Sequence, residues 1–440
     1  KENNGATYGR RSDWQNLYTI AKKYYEALLA DPGNAQFHLT DPRGASDKSG
    51  RTFNNPYQYF FEQMHMDDAI YADESIYEYP MQQGGGNDGR PYSFGRPSSG
   101  GSKAAYPCKS YGQGRINPAY FYGIFDPNDM RRDVSITMTG SNGKGVEKLI
   151  PFVPNSKAEG GGLTLNKWDE NRQANPWVAA QRKSGINGPY MRMSEVYLGY
   201  AEVCAALGDV VTGKQYLKTV RERSFPQGLA DTDGFIASFG NDLVRAIIEE
   251  RGFEYAGEGD RRWTLIRSGY LPEDIKRIKD MTKAMMDGLA TKGYYEFENG
   301  NIISAYIWTK LVDAKTIYGH RLTAQCPMDK VNDPVLYPGW RGQKDNWEEM
   351  GLNYGNSAPA TNLAIKGLFE IVSEEEAASL ESQGYAKVNW GIDLVDYRDE
   401  YDKYLFWDYD YVSAPIYLWP FTPNVMAAGG FTNGYGFKQE

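Results

Sequence analysis

The sequence predicts a mainly α-helical fold, in which tetratricopeptide-like helix pairs support a loop-rich part that contains short strands. Two observations lead to this prediction. Residues 189–269 carry three helical patterns in succession, separated by short breaks that contain Gly or Pro. A helix, a short turn and a second helix form the unit of tetratricopeptide-like arrays, which bury their apolar faces by stacking. The chain also has 48 Gly and 22 Pro among its 440 residues, so much of it must be loop.

Apolar spacing defines each helix of this stretch. The first pattern follows one buried helix face, and Gly208 comes after it, where a left-handed cap is easiest. In the third pattern, Asn241 or Asp242 can cap the N-terminus. A further helical pattern covers residues 271–291, so that residues 189–291 form a helical frame. The apolar positions of the three patterns are Met193, Val196, Tyr197, Tyr200, Ala201 and Cys204, then Tyr216, Leu217 and Val220, then Leu243, Ile247 and Ile248.

Residues 12–81 are expected to contribute a helix and a strand to the core. The helix follows Ser12 or Asp13, either of which can cap it, and ends before an Asp-Pro-Gly turn. A short helix is expected near Pro56, and residues 72–81 have the pattern of a strand.

Further along the chain the predicted elements are shorter. We expect a strand from Val134 to Met138 and a hairpin within residues 292–325. Residues 361–405 hold short elements, and the closing segment 405–440 is rich in aromatic residues, Pro and Gly.

Residues 82–118 are dense in Gly, Ser and Pro, and we expect neither a helix nor a regular strand there. A loop of this length usually has a function or is disordered. It carries many aromatic rings, which a plain linker rarely does. We therefore take it as the first candidate for ligand binding, and the expected contact residues are Asn87, Tyr92, Phe94, Arg96, Tyr106, Tyr111 and Arg115.

A second loop insertion, residues 327–360, is the other candidate. Trp340 and Arg341 are its expected contact residues, with Tyr337 and Trp347 close to them in sequence. For any single ring in either loop, packing at the base of the loop is the simpler interpretation.

Composition excludes several classes of function. The formal charge of −9 without a basic run makes nucleic acid an improbable partner. The three cysteines are too few and too scattered for a disulfide framework or a zinc site. The sequence has no apolar run long enough to span a bilayer.

Seven segments form an ordered set of motifs along the chain: Asp126–Pro127 with Met130–Arg132, Lys167–Trp168, Tyr190–Gly208, Leu217–Arg223, Glu250–Gly269, Leu418–Pro420 and Asn433–Tyr435. Together they resemble the SusD/RagB family of outer-membrane nutrient-binding lipoproteins, and the resemblance covers almost the whole chain. Thr264 and Phe421–Thr422 depart from the usual residues of the family. From this resemblance we expect the chain to begin partway into the family fold, after the first helices.

The resemblance implies a single SusD-like domain, an α-superhelix, that lacks its N-terminal segment. It implies capture of an extracellular oligosaccharide or polysaccharide at the cell surface, with delivery to a SusC-like TonB-dependent transporter. A lipid anchor upstream of this chain would hold the protein on the outer face of the outer membrane. In the family the ligand site lies on loops at the position of residues 82–118. The alternatives are a RagB-like protein that binds peptides or other nutrients, and a tetratricopeptide scaffold for protein partners.

We do not expect an enzyme. Glu195 and Glu202 lie about 10 Å apart on one helix side, farther than a retaining glycosidase pair needs. We expect these glutamates to pair with arginines such as Arg221, Arg223 or Arg251. The acidic and basic residues of 258–263, together with Arg267, are likewise expected to form a salt-bridge network.

No motif requires a cofactor. The three histidines have no partners at metal-ligand spacing, and no nucleophile, metalloprotease or phosphate-loop motif is present. Asn87–Asp88 could contribute to a structural calcium site, but a plain turn is the simpler interpretation.

Overall fold

The computed structural model confirms a mainly α-helical protein. Within its described residues there are fourteen helices and eleven short strands. The described residues are 12–35, 37–41, 55–64, 74–84, 93–98, 110–141, 147–154, 161–168, 185–313, 361–405 and 422–429.

The helices and strands alternate irregularly along the chain. The helices are α1 (Trp14–Ala30), α2 (Pro56–Gln63), α3 (Pro118–Gly123), α4 (Arg131–Ser135), α5 (Met193–Ala206), α6 (Val210–Ser224), α7 (Thr232–Ala237), α8 (Leu243–Glu254), α9 (Asp260–Ser268), α10 (Leu271–Lys292), α11 (Glu374–Ser382), α12 (Gly391–Asp396), α13 (Arg398–Leu405) and α14 (Pro423–Gly429). The strands are β1 (Ser75–Tyr79), β2 (Ile136–Thr137), β3 (Thr139–Ser141), β4 (Glu147–Leu149), β5 (Thr164–Leu165), β6 (Gly188–Arg192), β7 (Tyr294–Glu296), β8 (Ile302–Ser304), β9 (Tyr306–Asp313), β10 (Thr361–Lys366) and β11 (Ala386–Asn389).

The predicted helical frame is confirmed. Leu198 of α5 and Leu217 of α6 are fully buried and pack with Ile247 of α8 in one apolar cluster. Helices α5 and α6 approach closely at Gly213, where an added Cβ would lie 3.0 Å from the carbonyl oxygen of Ala201. A larger side chain at this position would therefore push the two helices apart.

The caps of the frame also follow the sequence prediction. Gly208 has φ +89°, the left-handed conformation expected after α5. Asp242 caps α8, because its Oδ1 accepts a hydrogen bond from the backbone N–H of Arg245 at 3.0 Å. Asp13 stands at the N-cap of α1 but makes no capping bond with its side chain.

The strands form small antiparallel sheets. β1 pairs with β6, β2 with β5, β3 with β4 and β7 with β8, and β9 is the centre of a three-stranded sheet with β10 and β11. The β7–β8 pair agrees with the hairpin predicted within residues 292–325. Among the described residues, the largest apolar core lies between helices α3, α8 and α10 and strands β2, β8, β9 and β10. At its centre the indole of Trp390 donates a hydrogen bond to the hydroxyl of Tyr122 at 2.8 Å.

Two predictions of local structure are wrong. Val134 and Ser135 belong to helix α4, and the predicted strand Val134–Met138 shrinks to Ile136–Thr137. The reason is tertiary, since the Arg131 side chain donates to Glu250 at 2.7 Å and to Glu254 at 3.0 Å, both on α8, and these bonds hold it inside the protein. In the loop 82–118, Ser93 and Phe94 have helical backbone where no helix was expected.

Candidate functional site

Three tyrosines form an exposed aromatic cluster on the β1–β6 sheet. Tyr77, Tyr79 and Tyr190 are 52%, 50% and 65% exposed, although their rings contact one another. Ring centroids lie 5.7 Å apart for Tyr77 and Tyr190, 6.1 Å for Tyr79 and Tyr190, and 6.4 Å for Tyr77 and Tyr79. Because exposed rings in contact keep a large apolar area in water, such a group is typical of a binding surface. We call these three residues the tyrosine cluster.

Strand geometry places the cluster on one side of the sheet. Tyr77 and Tyr79 are two residues apart, so their side chains leave the strand on the same face. The opposite face is polar and buried: the Glu78 carboxylate accepts bonds from the Ser75 hydroxyl and, at 3.0 Å, from the Asn187 amide. The tyrosines therefore project from a strand whose other side is fixed inside the protein.

The candidate loop 82–118 starts beside this sheet. At its start, the backbone N–H of Met81 donates to Asn187 Oδ1 at 2.9 Å. Within the loop, the N–H of Arg96 donates to the carbonyl of Trp168 at 2.7 Å, and the Trp168 indole donates to the carbonyl of Asn187 at 3.2 Å. Asn187 directly precedes β6, so the loop is anchored at the base of the tyrosine cluster.

Two isolated β-bridges fix the C-terminal part of the loop. Ser98 and Ser110 exchange two backbone hydrogen bonds, and Arg115 bridges to Thr164 of β5. The Thr164 hydroxyl donates to the carbonyl of Gly112 at 3.1 Å. This part of the loop is therefore held against β5.

The sequence-predicted contact residues fall in different environments. Phe94 is 45% exposed, whereas Tyr111 and Arg115 are half-buried. Arg96 is only 2% exposed and donates from Nη2 to Thr139 at 3.1 Å, which favours anchoring of the loop over direct contact with a ligand. Burial lowers the pKa of Arg115 below its usual range. Asn87, Tyr92, Tyr106, Trp340 and Arg341 lie outside the described residues.

Beneath the sheet, ten charged side chains form one buried network of five cations and five carboxylates. Glu254 accepts from Arg131 at 3.0 Å, from Arg223 at 2.5 Å and from Arg192. Arg223 and Arg192 also both donate to Glu74, the residue before β1. The network consists of Arg131, Lys167, Arg192, Arg221 and Arg223 with Glu74, Asp129, Glu250, Glu254 and Glu258. We call it the buried ion network.

Burial and charge compete in this network. Burial alone would raise the pKa of Glu254, but Arg223, Arg192 and Arg131 hold it well below its ordinary value. For Lys167 burial dominates over Glu258 and lowers the pKa of the ammonium to about 8. Buried, paired charges of this kind fix geometry, and here they tie α4, α6 and α8 to the sheet.

The expected structural pairing of Glu195 and Glu202 is confirmed. Glu195 accepts two bonds from Arg251, at 2.7 and 2.9 Å. Glu202 pairs with Arg267 of α9 and not with the three arginines first expected. Because both carboxylates are engaged, neither is presented as an acid or a nucleophile.

The acidic and basic residues of 258–263 also form the expected network. Glu258 bonds Lys167 at 2.6 Å and Asp260 bonds Arg251 at 2.5 Å. Arg261 bonds Glu249 at 2.8 Å, and Arg261, Arg277 and burial together leave the pKa of Glu249 at about 2, below its ordinary value.

Within the part of the chain that the structure describes, no group of three His, Cys, Asp or Glu residues could hold a metal ion. Among those same residues, no helix has the length and apolar character to span a membrane.

Sequence reasoning missed the tyrosine cluster. The spacing of Tyr77 and Tyr79 on a predicted strand was a usable signal for a shared face. Tyr190 could not be added, because its closeness depends on the pairing of β1 with β6.

Comparisons with known proteins agree with the resemblance found in the sequence. A family model described as the SusD family matches residues 36–420. SusD-like protein P25 of Formosa agariphila is 28% identical to this chain over 160 residues, which are 36% of this chain and 26% of that protein.

Two solved structures illustrate the range of similar proteins. A SusD homolog from Bacteroides thetaiotaomicron is 18% identical, with a TM-score of 0.43, over 61% of this chain and 52% of that chain. Surface glycan-binding protein A from Bacteroides thetaiotaomicron, solved in complex with laminarihexaose, is 19% identical, with a TM-score of 0.41, over 59% of this chain and 52% of that chain. This chain thus spans about half of those solved chains and about a quarter of the curated relative.

Proposed function

This chain belongs to the SusD family, and from that membership we propose that it binds an extracellular oligosaccharide or polysaccharide without changing it chemically. We further propose that it acts on the outer face of the outer membrane through a lipid anchor upstream of this chain. There it delivers the glycan to a SusC-like TonB-dependent transporter.

One observation carries the glycan proposal: three exposed tyrosines stand at the base of the aromatic loop. A sugar ring has an apolar C–H face that stacks on an aromatic ring and is removed from water there. Each tyrosine hydroxyl can donate to and accept from sugar hydroxyls. Phe94 and Tyr111, together with Tyr92 and Tyr106 of the loop, would extend the contact area.

The angles between the rings indicate the shape of glycan that fits. The ring planes are inclined by 86° for Tyr77 and Tyr190 and by 59° for Tyr79 and Tyr190. A flat, ribbon-like glycan would need nearly coplanar platforms. Inclined rings suit a glycan whose successive sugars turn relative to one another.

Isothermal titration calorimetry with hexasaccharides tests the proposal. Maltohexaose and laminarihexaose represent turning chains, and cellohexaose represents a flat one. We expect a turning hexasaccharide to bind more tightly than cellohexaose. Replacing all three tyrosines by alanine should remove the binding at the tyrosine cluster, and each single Tyr→Ala change should weaken that binding roughly two- to tenfold.

Matched variants separate stacking from general surface effects. Tyr→Phe changes in the cluster keep the rings and should retain most of the affinity. Tyr24→Ala removes an exposed tyrosine of α1 that is outside the cluster and should leave binding unchanged. Equal affinity of the triple alanine variant and the parent protein would reject the tyrosine cluster as the glycan site.

The alternatives give different results. Binding of peptides without any glycan would support a RagB-like peptide-binding protein. Shortened products in chromatography after incubation with a bound hexasaccharide would reveal an enzyme. A protein scaffold predicts that Tyr92→Ala, Tyr106→Ala and Tyr111→Ala leave growth on the cognate nutrient untouched.

Transporter delivery needs its own experiment. The full-length protein and a SusC-like transporter from the same organism would be expressed together, with a tag on one partner. Co-purification in detergent supports delivery, and separate elution at all salt concentrations rejects a stable complex.

A further inference from the structure

A second concave surface lies away from the tyrosine cluster. It is a cleft of about 850 Å³ between α6, α7, α8, α10 and β7, within the range of roughly 300–1,000 Å³ that is typical of ligand pockets. None of its lining residues belongs to β1, β6 or the loop 82–118. The glycan proposal above therefore leaves this cleft unexplained.

Three arginines on its wall have unused hydrogen-bond donors. Arg221 and Arg245 are only 3% and 5% exposed, and Arg277 lies beside them on α10. Arg221 Nε, Arg245 Nη1 and Arg277 Nε have no hydrogen-bond partner among the described residues. These three atoms lie beneath the cleft surface. Arg245 Nη2, by contrast, has only long contacts with carboxylates, 3.6 Å to Glu273, 3.9 Å to Asp274 and 4.0 Å to Glu249, so it is suited to an acceptor that arrives with a ligand.

Aromatic rings stand next to these donors. The guanidinium of Arg221 lies 3.7 Å from the ring centroid of Phe235. The rings of Phe235 and Phe239 are 5.3 Å apart and both are half-buried, so part of each remains available to a ligand. Tyr295 and Phe297 line the same cleft.

The charges of the cleft restrict the chemistry of that ligand. Seven carboxylates and three arginines line it, which gives a formal charge of −4 and disfavours an anion. Exposed carboxylates are acceptors, whereas the arginines are donors, so a ligand must offer both functions. The seven carboxylates are Asp126, Asp129, Asp231, Glu249, Glu273, Asp280 and Glu298.

We propose that this cleft is a second saccharide site, which takes a short neutral oligosaccharide. Each sugar hydroxyl both accepts and donates, so it can accept from Arg245 while it donates to a rim carboxylate such as Glu273. The two carboxylate oxygens of Glu273 are not saturated, since its contact with Arg245 is 3.6 Å long. Phe235 and Phe239 supply the apolar platform for the face of a sugar ring.

The test uses the whole chain and the hexasaccharides named above. Ser238 is exposed at the edge of the cleft, and Ser238→Trp should fill it and abolish binding there. Phe239→Ala should weaken binding roughly two- to tenfold through loss of one ring. Val211→Trp places the same indole on an 83% exposed position of α6 outside the cleft and should change nothing.

Two readouts locate the bound sugar. Calorimetry should give two molecules per chain for the parent protein and one for Ser238→Trp. Hydrogen exchange of the backbone amides in residues 232–242 should slow when the sugar is added to the parent protein but not to Ser238→Trp. Circular dichroism shows that each variant is folded.

The outcomes separate this site from the tyrosine cluster. If the triple tyrosine variant still binds one sugar and Ser238→Trp removes that binding, the cleft is a saccharide site whatever the cluster does. If the sugar slows exchange in residues 232–242 of Ser238→Trp as it does in the parent protein, and Ser238→Trp still binds two molecules, the inference is overturned. Binding of a lysine-rich peptide, and of no hexasaccharide, in the cleft would overturn it as well.

Discussion

Glu254→Gln tests whether the buried ion network holds the binding surface in place. Glutamine keeps the size of the side chain but removes the negative charge that three arginines share. The network then has five cations and four carboxylates, so one positive charge stays buried without compensation. The amide nitrogen also turns a donor toward guanidinium groups that can only donate.

The magnitude follows from the burial of these groups. Glu254 is fully buried, and Arg131, Arg192 and Arg223 are at most 3% exposed. Removal of one partner from a buried ion pair costs about 3–5 kcal/mol, because the remaining charge cannot return to water. We expect Glu254→Gln to lower the free energy of unfolding by that amount.

Equilibrium unfolding in urea, followed by circular dichroism, measures the loss. Glu222→Gln is the matched control, since Glu222 is 52% exposed and lies 3.5 Å from Lys218 on the surface of α6. Such a pair contributes roughly 0.3–0.5 kcal/mol. A loss below about 1 kcal/mol for Glu254→Gln would refute the argument that its charge is structurally required.

Three further predictions concern single residues. The pKa of Lys167 is about 8 in the folded protein, below its unfolded value, so the unfolded state binds more protons above pH 8. Between pH 8 and 10, the unfolding free energy of the parent protein, measured in urea titrations, should therefore rise by about 2 kcal/mol relative to that of Lys167→Met. A difference between the two proteins that stays constant with pH would contradict this. The pKa of Glu249 is instead lowered to about 2, so its ionised form stabilises the folded protein above pH 4.5. As the pH falls to 2, the unfolding free energy of the parent protein should decrease by about 3 kcal/mol relative to that of Glu249→Gln. Gly162 and Gly300 both have positive φ, but only at Gly162 would an added Cβ clash, at 2.1 Å from Phe152. Gly162→Ala should therefore lower the unfolding free energy by about 1–3 kcal/mol more than Gly300→Ala and should lower the melting temperature further. Equal melting temperatures of the two variants would argue against the clash.

The helical frame was predictable because its signals are local. The apolar faces of α5, α6 and α8 repeat within single helices, and Gly208 and Asp242 mark two of their ends. The strand at Val134 was mispredicted for the opposite reason. Its helical backbone follows Arg131, whose side chain is fixed by Glu250 and Glu254, far away in sequence.

The candidate site was less predictable, because it depends on pairing across the chain. Tyr190 meets Tyr77 and Tyr79 only after β6 pairs with β1, and a bulge in that pairing shifts the register between Ser75 and Glu78. The burial of Arg96 also depends on a distant contact, its bond to Thr139. The sequence therefore predicts an aromatic loop as the binding segment, but it could not distinguish a buried anchor such as Arg96 from an exposed ring such as Phe94.

One residue of a family motif, Arg192, connects the proposed binding surface with the helical frame. Arg192, at the end of β6, belongs to the motif that begins at Tyr190, and it bonds both Glu74 before β1 and Glu254 of α8. The two strands that carry the tyrosine cluster are thus attached to the helical frame by buried charged residues. Because stacking depends on the relative angles of rings, loosening of this attachment would change affinity without removing an aromatic contact. Glu254→Gln should accordingly weaken binding of a turning hexasaccharide even at temperatures where the variant remains folded, and calorimetry at such a temperature would detect it.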